Sequence, residues 1–315
     1  MRWVFSFEDD GNPMIPFAER LADAVRSKRT PLCVGLDPRW ESLPRLIRTR
    51  HEDGTLNGVA AAYREFCLKI LDLVAGLAPV VKPQSAFFEA CGPAGLAVLQ
   101  TVIAKAKQLG LVVILDSKRG DIASTAGAYA EAAFAGTPHE GRVLPVWNAD
   151  ALTVNPYLGR DAVEPFISTA RQSAGGLFIL VRTSNPGSGL FQELDCGGKK
   201  LYQVVADEVS KWNGENLSAN GYGDCGAVVG ATQPKELAEL REKMPGVWFL
   251  VPGYGAQGGS ASDVAAAFDK NGLGAIVNSS RGITFPFKPD ETNWEAAVVN
   301  ATQKAVHELR TAAGL

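Results

Sequence analysis

The strongest constraint on this chain is an alternation that repeats eight times. A short apolar run, rich in β-branched residues, ends in a turn and gives way to a stretch of helical period. The runs are Pro31–Asp37, Pro79–Lys82, Leu111–Leu115, Ala151–Pro156, Gly176–Val181, Asp224–Val229, Gly246–Val251 and Gly274–Asn278. Runs of about 4–8 such residues are what strands buried on both faces need. The helical stretches that follow fall near Gly58–Gly76, Pro93–Leu109, Ile122–Phe134, Arg160–Ser173 and Lys199–Trp212, then after Pro234, near Ser260–Phe268 and over Asn293–Arg310. Strands alternating with helices imply a parallel sheet. Eight units in about 280 residues match a closed (β/α)8 TIM barrel. An open doubly wound sheet is the competitor, but its glycine-rich phosphate loop belongs after the first strand. Here Asp37-Pro38-Arg39-Trp40 stands there, and the glycine-rich loops come late. The expectation is therefore a single barrel domain over residues 17–315, opened by an extra N-terminal helix at Phe17–Lys28, with residues 1–16 as a tail.

Composition removes several function classes. A net charge of −3 offers no basic field for nucleic acid. No apolar run approaches the ~18 residues of a membrane span. The first residues, MRWVFSFEDDGNPMIPF, carry an early acidic cluster and no long apolar core, unlike a secretory signal. The cysteines, Cys33, Cys67, Cys91, Cys196 and Cys225, are odd in number and form no CxxC pair, which fits a reducing cytoplasm better than a disulfide framework or a zinc site. His51, His139 and His307 stand apart, as surface or loop residues would.

Function in such a barrel lies at the C-terminal ends of the strands. Read there, the sequence places Asp37 on the first strand, Lys82 on the second, and Asp116 and Lys118 on the third, with Asp121 at the start of the next helix. Asp116 and Lys118 are two apart and should share a face, with Cα atoms roughly 7 Å apart. Taken singly, an Asp at a helix start is an N-cap and an Asp–Lys neighbour pair is a solvated ion pair. Five alternating charges on adjacent strand tips, about 4.8 Å from strand to strand, make an acid–base array instead. The carboxylates and ammoniums hold one another charged. After the seventh strand comes PGYGAQGG with Gln257, and after the eighth NSSRG with Arg281. Loops in these places bind phosphate in this fold. Glycines let backbone N–H groups approach an anion, and Arg281 adds a planar, permanently charged fork. RTSNPGSG, after the fifth strand, offers Ser184 and Asn185, which suit the polar edge of a heterocycle as well as they suit a simple turn.

These residues also carry a resemblance. LDSKRGDIAST is similar to the D-x-K-x-x-D signature of the orotidine 5′-phosphate decarboxylases. VGLDP, VKPQSAFFEACGPAG, RTSNPGSG, PGYGAQGG and NSSRGI follow in family order, from Phe17 onward. The chain resembles the longer bacterial (type 2) subgroup, and the first dozen or so residues have no counterpart. The resemblance implies decarboxylation of orotidine 5′-monophosphate to uridine 5′-monophosphate, the last step of de novo pyrimidine synthesis, with no metal and no cofactor. It implies that Asp37 and Lys82 contact the ribose hydroxyls, that Asp116 lies against the substrate carboxylate, and that Lys118 protonates C6 while Asp121 completes the charged network. Ser184 would face the pyrimidine, and Gln257 and Arg281 would hold the phosphate. Asp121 and Thr125 would reach into a partner's site, which makes the expected assembly a homodimer.

The chemistry fits the residues. Loss of CO2 leaves a carbanion at C6 with no enolate sink, and nothing in the sequence suggests a pyridoxal or thiamine site. Charge placement must do the work, with an ammonium beside the carbanion that afterwards donates a proton. Phosphate binding would close the loop after the fifth or seventh strand over the site. Two competing functions remain open at this point. One is a magnesium-dependent phosphosugar lyase or aldolase on the same barrel, disfavoured by lysines interleaved with the acids. The other is an idle barrel that binds a nucleotide without catalysis.

Overall fold

The computed structural model describes residues 14–255 and 258–315. Eight parallel strands close into a barrel in sequence order: β1 (Leu32–Leu36), β2 (Val80–Pro83), β3 (Val112–Arg119), β4 (Ala151–Val154), β5 (Gly176–Arg182), β6 (Cys225–Val229), β7 (Phe249–Val251) and β8 (Ala275–Ser279). β8 returns to β1 in the register Leu32↔Val277. Helices cover the outside, so the strands are buried on both faces and read as unbroken apolar runs. The helix after β1 shows how the pattern works. Thr55 caps its start by accepting from the Gly58 N–H at 3.0 Å. Tyr63, Phe66, Cys67, Ile70, Leu71 and Val74 then recur every three or four residues along Leu56–Val74 and are all buried.

The sequence-based boundaries hold within a few residues, with four informative departures. β3 runs through Arg119, one residue beyond the expected strand tip at Lys118. β7 is shorter than Gly246–Val251, because Gly246 sits at φ +76° in the turn before it. The helix expected over Ile122–Phe134 is α-helical only over Ala123–Ala130 and widens into a π turn at Glu131–Ala135. Within the loop expected at 136–148, Thr137–His139 pairs antiparallel with Arg142–Leu144 as a small hairpin.

The N-terminal helix closes the floor of the barrel. Phe17, Ala18, Leu21, Ala22 and Val25 form its buried face and pack on the inward residues Cys33, Val80, Ile114, Ala151, Phe178 and Trp248. The Phe17 ring meets Phe178 edge to face, centroids 6.0 Å apart. Gly176, the first residue of β5, makes room for it: a Cβ there would lie 2.1 Å from the Phe17 ring. Arg20 fixes the helix laterally through an ion pair to buried Asp150, which also takes Lys107 at 3.1 Å. The floor is thus sealed, and the opposite mouth is left for chemistry.

Candidate active site

A cavity of about 510 Å³ opens at the C-terminal ends of the strands, and residues from all eight strands or the loops after them line it. A larger hollow of about 890 Å³ lies beside the loop after β5, between Glu193, Lys200, Tyr202 and Glu239. It gathers none of the strand-tip charges, so chemistry and not volume identifies the site.

At the mouth, β2, β3 and β4 build one connected network. Lys82 Nζ donates to Asp116 Oδ2 at 2.5 Å, and both side chains are almost fully buried. Lys118 Nζ donates to Asp116 Oδ1 at 2.6 Å, and its side chain is 46% exposed toward the opening. Burial alone would push the Asp116 carboxyl up. The ammoniums of Lys82 and Lys118 outweigh it and hold the group well below the usual carboxylate range. Burial likewise works against the Lys82 ammonium, but Asp116 and Asp37 outweigh it and raise its proton affinity above the ordinary lysine value. Both groups are charged at neutral pH. Cys33 lies beneath them, where burial pushes its thiol up to about 12, so it is not a nucleophile at neutral pH.

The expected pairing of Asp116 with Lys118 is met, but not by a regular strand. Leu115 pairs with Leu152 and Arg119 with Val154, so β3 carries extra residues between these points. Lys118 adopts φ +48°, a left-handed backbone that costs a non-glycine residue about 1–3 kcal/mol. Thr153 of β4, which the sequence reading passed over, occupies the gap. It accepts from the N–H groups of Ser117 and Lys118 and donates to Asp116. A signal for it existed: it is the only polar residue in a strand whose four residues are all buried.

The other predicted residues divide. Asp37 lines the cavity, and its Oδ1 is a buried acceptor without a hydrogen-bond partner among the described residues. Asn278 Oδ1, on β8, is a second such acceptor, also unforeseen. Gly35 lets these two strand tips approach, since a Cβ there would lie 1.9 Å from Ser280 Oγ. Ser184 and Asn185 line the cavity above the apolar side chains of Leu180, Val228 and Leu250. Asp121 does not cap the helix with its side chain. The N-cap position is Ile122, whose N–H Asp121 accepts at 2.8 Å. Asp121 and exposed Thr125 lie outside the cavity wall of this single chain, and so does Arg281, exposed at the start of a short helix, Arg281–Thr284. Gln257 lies outside the described residues.

Arg182 is a third residue that sequence reading missed. Though charged, it is 1% exposed. Its guanidinium donates to Ser188 Oγ at 3.1 Å and Glu193 Oε1 at 2.5 Å, and lies 3.5 Å from Glu236 Oε1. It thereby ties down the loop after β5, which carries Ser184, Asn185 and Gln192 into the cavity wall. The histidines include one correction: His51 is not isolated but bonds to Glu65 at 2.7 Å. The five cysteines are free, and no cluster of three His, Cys, Asp or Glu side chains placed for a metal occurs among the described residues.

With this geometry in hand, known proteins decide the family. The model of the orotidine 5′-phosphate decarboxylase / HUMPS family matches residues 30–297. The orotidine 5′-phosphate decarboxylase of Rhodopirellula baltica is 52% identical over 304 residues, covering 94% of this chain and 100% of that protein. This chain belongs to the orotidine 5′-phosphate decarboxylase family. The decarboxylase of Caldicellulosiruptor bescii is 40% identical over 278 residues, 87% of this chain and 91% of that one. Among solved structures, the OMP decarboxylase of Leishmania donovani superposes with a TM-score of 0.73 at 34% identity, covering 96% of this chain and 100% of its own. The resemblance read from the strand-tip motifs is thus confirmed, and so is the enzyme class of the orotidine 5′-phosphate decarboxylase family, a carboxy-lyase.

Proposed function

We propose that this protein converts orotidine 5′-monophosphate to uridine 5′-monophosphate and CO2 in pyrimidine biosynthesis, without metal or cofactor, with Lys118 as the proton donor. The observation that carries this reading is the Lys82–Asp116–Lys118 chain at the cavity wall, in which one buried carboxylate holds two ammoniums, that of Lys82 buried and that of Lys118 on a side chain 46% exposed. Breaking the bond between C6 and the carboxylate releases CO2 and leaves the electron pair on C6. The Lys118 ammonium stabilises that charge and transfers its proton to C6, leaving a neutral amine. Asp116, held charged by its neighbours, faces the departing carboxylate.

Asp37 and Lys82 take the ribose hydroxyls in this reading. The free Asp37 Oδ1 acceptor supports this, since a buried oxygen without a partner suits a hydroxyl donor. Ser184 reads the pyrimidine edge, and Arg281 with Gln257 binds the phosphate. Asp121 and Thr125, which lie outside the wall of this chain's own cavity, serve a partner subunit's site, so the working form is a homodimer, in the cytoplasm. Ammoniums on both Asp116 oxygens argue against that carboxylate as a magnesium ligand.

The test is to follow the ultraviolet absorbance of orotidine 5′-monophosphate with purified protein, with and without EDTA. Loss of absorbance unaffected by the chelator is the expected result. Activity that vanishes with EDTA would return the metal-dependent lyase reading, and binding without CO2 release the idle-barrel reading.

A further inference from the structure

We propose that Thr153 is a positioning residue for Lys118: its hydroxyl, in the wall of the cavity, holds open the β3 bulge that aims the ammonium. The inference rests on the reading of Lys118 as proton donor.

Between the paired points Leu115↔Leu152 and Arg119↔Val154, β3 contributes Asp116, Ser117 and Lys118, whereas β4 contributes Thr153 alone. A regular ladder would meet the β3 N–H groups with β4 carbonyls, and one residue cannot supply enough of them. The Thr153 hydroxyl makes up the shortfall. Its oxygen accepts from Ser117 N at 3.0 Å and from Lys118 N at 2.8 Å. Its single proton goes to Asp116 Oδ1 at 2.9 Å, the same oxygen that receives Lys118 Nζ at 2.6 Å. One hydroxyl, on a residue 1% exposed, therefore grips Lys118 at both ends: the backbone directly, and the ammonium through its counter-ion. Lys118 needs that grip because its left-handed φ of +48° is one that non-glycine residues adopt uncommonly and at a cost. β-Branching suits the task, since a stiff χ1 leaves the hydroxyl few directions to point.

The test compares Thr153→Val, which keeps the shape and removes the hydroxyl, with Thr153→Ser, which keeps the hydroxyl. Steady-state kinetics on orotidine 5′-monophosphate and thermal unfolding are measured for both. In Thr153→Val, kcat should fall about a hundredfold, as expected for a misplaced reacting group. KM should stay within about threefold, because the proposed ribose and phosphate contacts do not involve Thr153. Thr153→Ser should recover kcat to within about tenfold of the parent. A valine variant with parental kcat, or one altered in KM alone, overturns the proposal. If the valine variant fails to fold, the serine variant decides: a folded serine variant that loses kcat about a hundredfold also overturns it. Lys118→Ala run in parallel separates the two readings. Turnover retained there removes the role of Lys118, whereas an inactive Lys118→Ala beside a fully active Thr153→Val removes only that of Thr153.

Discussion

At its N-terminal end the barrel is closed by Phe17, Leu21 and Val25, apolar side chains set against Phe178, Trp248 and Ile114. At its C-terminal end the same strands present Asp37, Lys82, Asp116 and Lys118 to a cavity. The floor removes apolar surface from water, at about 25 cal/mol per Å². The mouth does the opposite. It keeps the Lys82–Asp116 pair buried, a left-handed lysine, and two buried acceptors that have no partner among the described residues. A buried ion pair rarely stabilises more than an apolar pair of the same volume. Stability therefore does not account for the mouth's charges, and the floor offsets what they cost.

That contrast can be broken most sharply at Lys118. Lys118→Ala should lower kcat by about 10⁴-fold or more, at the upper end for general acid catalysis, with little change in the unfolding midpoint. A variant that unfolds instead of losing activity would put Lys118 among the stabilising residues.

Asp116→Asn tests both halves of the contrast. It leaves the Lys82 ammonium buried beside a neutral amide, which should cost about 3–5 kcal/mol in urea unfolding and abolish turnover. The pH dependence has a fixed sign. Because the folded Asp116 carboxyl is held below its ordinary value, its contribution is complete above about pH 3.9 and is lost as pH falls below that toward the folded value. Urea midpoints measured from pH 7 downward should therefore decline more steeply on the acid side in the parent than in Asp116→Asn.

The floor should show the reverse. Phe17→Ala empties the slot that Gly176 provides and should cost about 3–5 kcal/mol of stability, while kcat per folded molecule stays unchanged. A fall in kcat without loss of stability would mean that floor and mouth are coupled. The smallest effect is expected at Arg281. For the proposed phosphate contact, made alike in ground and transition states, Arg281→Ala should raise KM about ten- to a hundredfold and leave kcat nearly unaltered. An equal fall in kcat would show that phosphate binding also organises the chemistry.

Local pattern made the barrel legible. Strands buried on both faces read as apolar runs, their helices repeat every three or four residues, and the charged residues at the ends of the first three runs mark the mouth. Asp37, Lys82, Asp116 and Lys118 could be found in this way because a strand tip is a position along the chain. What the tertiary structure decided depends on neighbours. Whether β3 bulges is set by how many residues β4 sets against it, so the conformation of Lys118 and the work of Thr153 are properties of a pair of strands. Arg182 reads as an ordinary charged strand end until Glu193 and Glu236, 11 and 54 residues further on, close around it. The N-terminal helix was visible as a helix, but its place under the barrel required the slot at Gly176. The sequence by itself determined that Asp37, Lys82, Asp116 and Lys118 stand at the mouth. The register between adjacent strands decided how the ammonium of Lys118 is aimed, because hydrogen bonds across a sheet link residues that the chain keeps far apart.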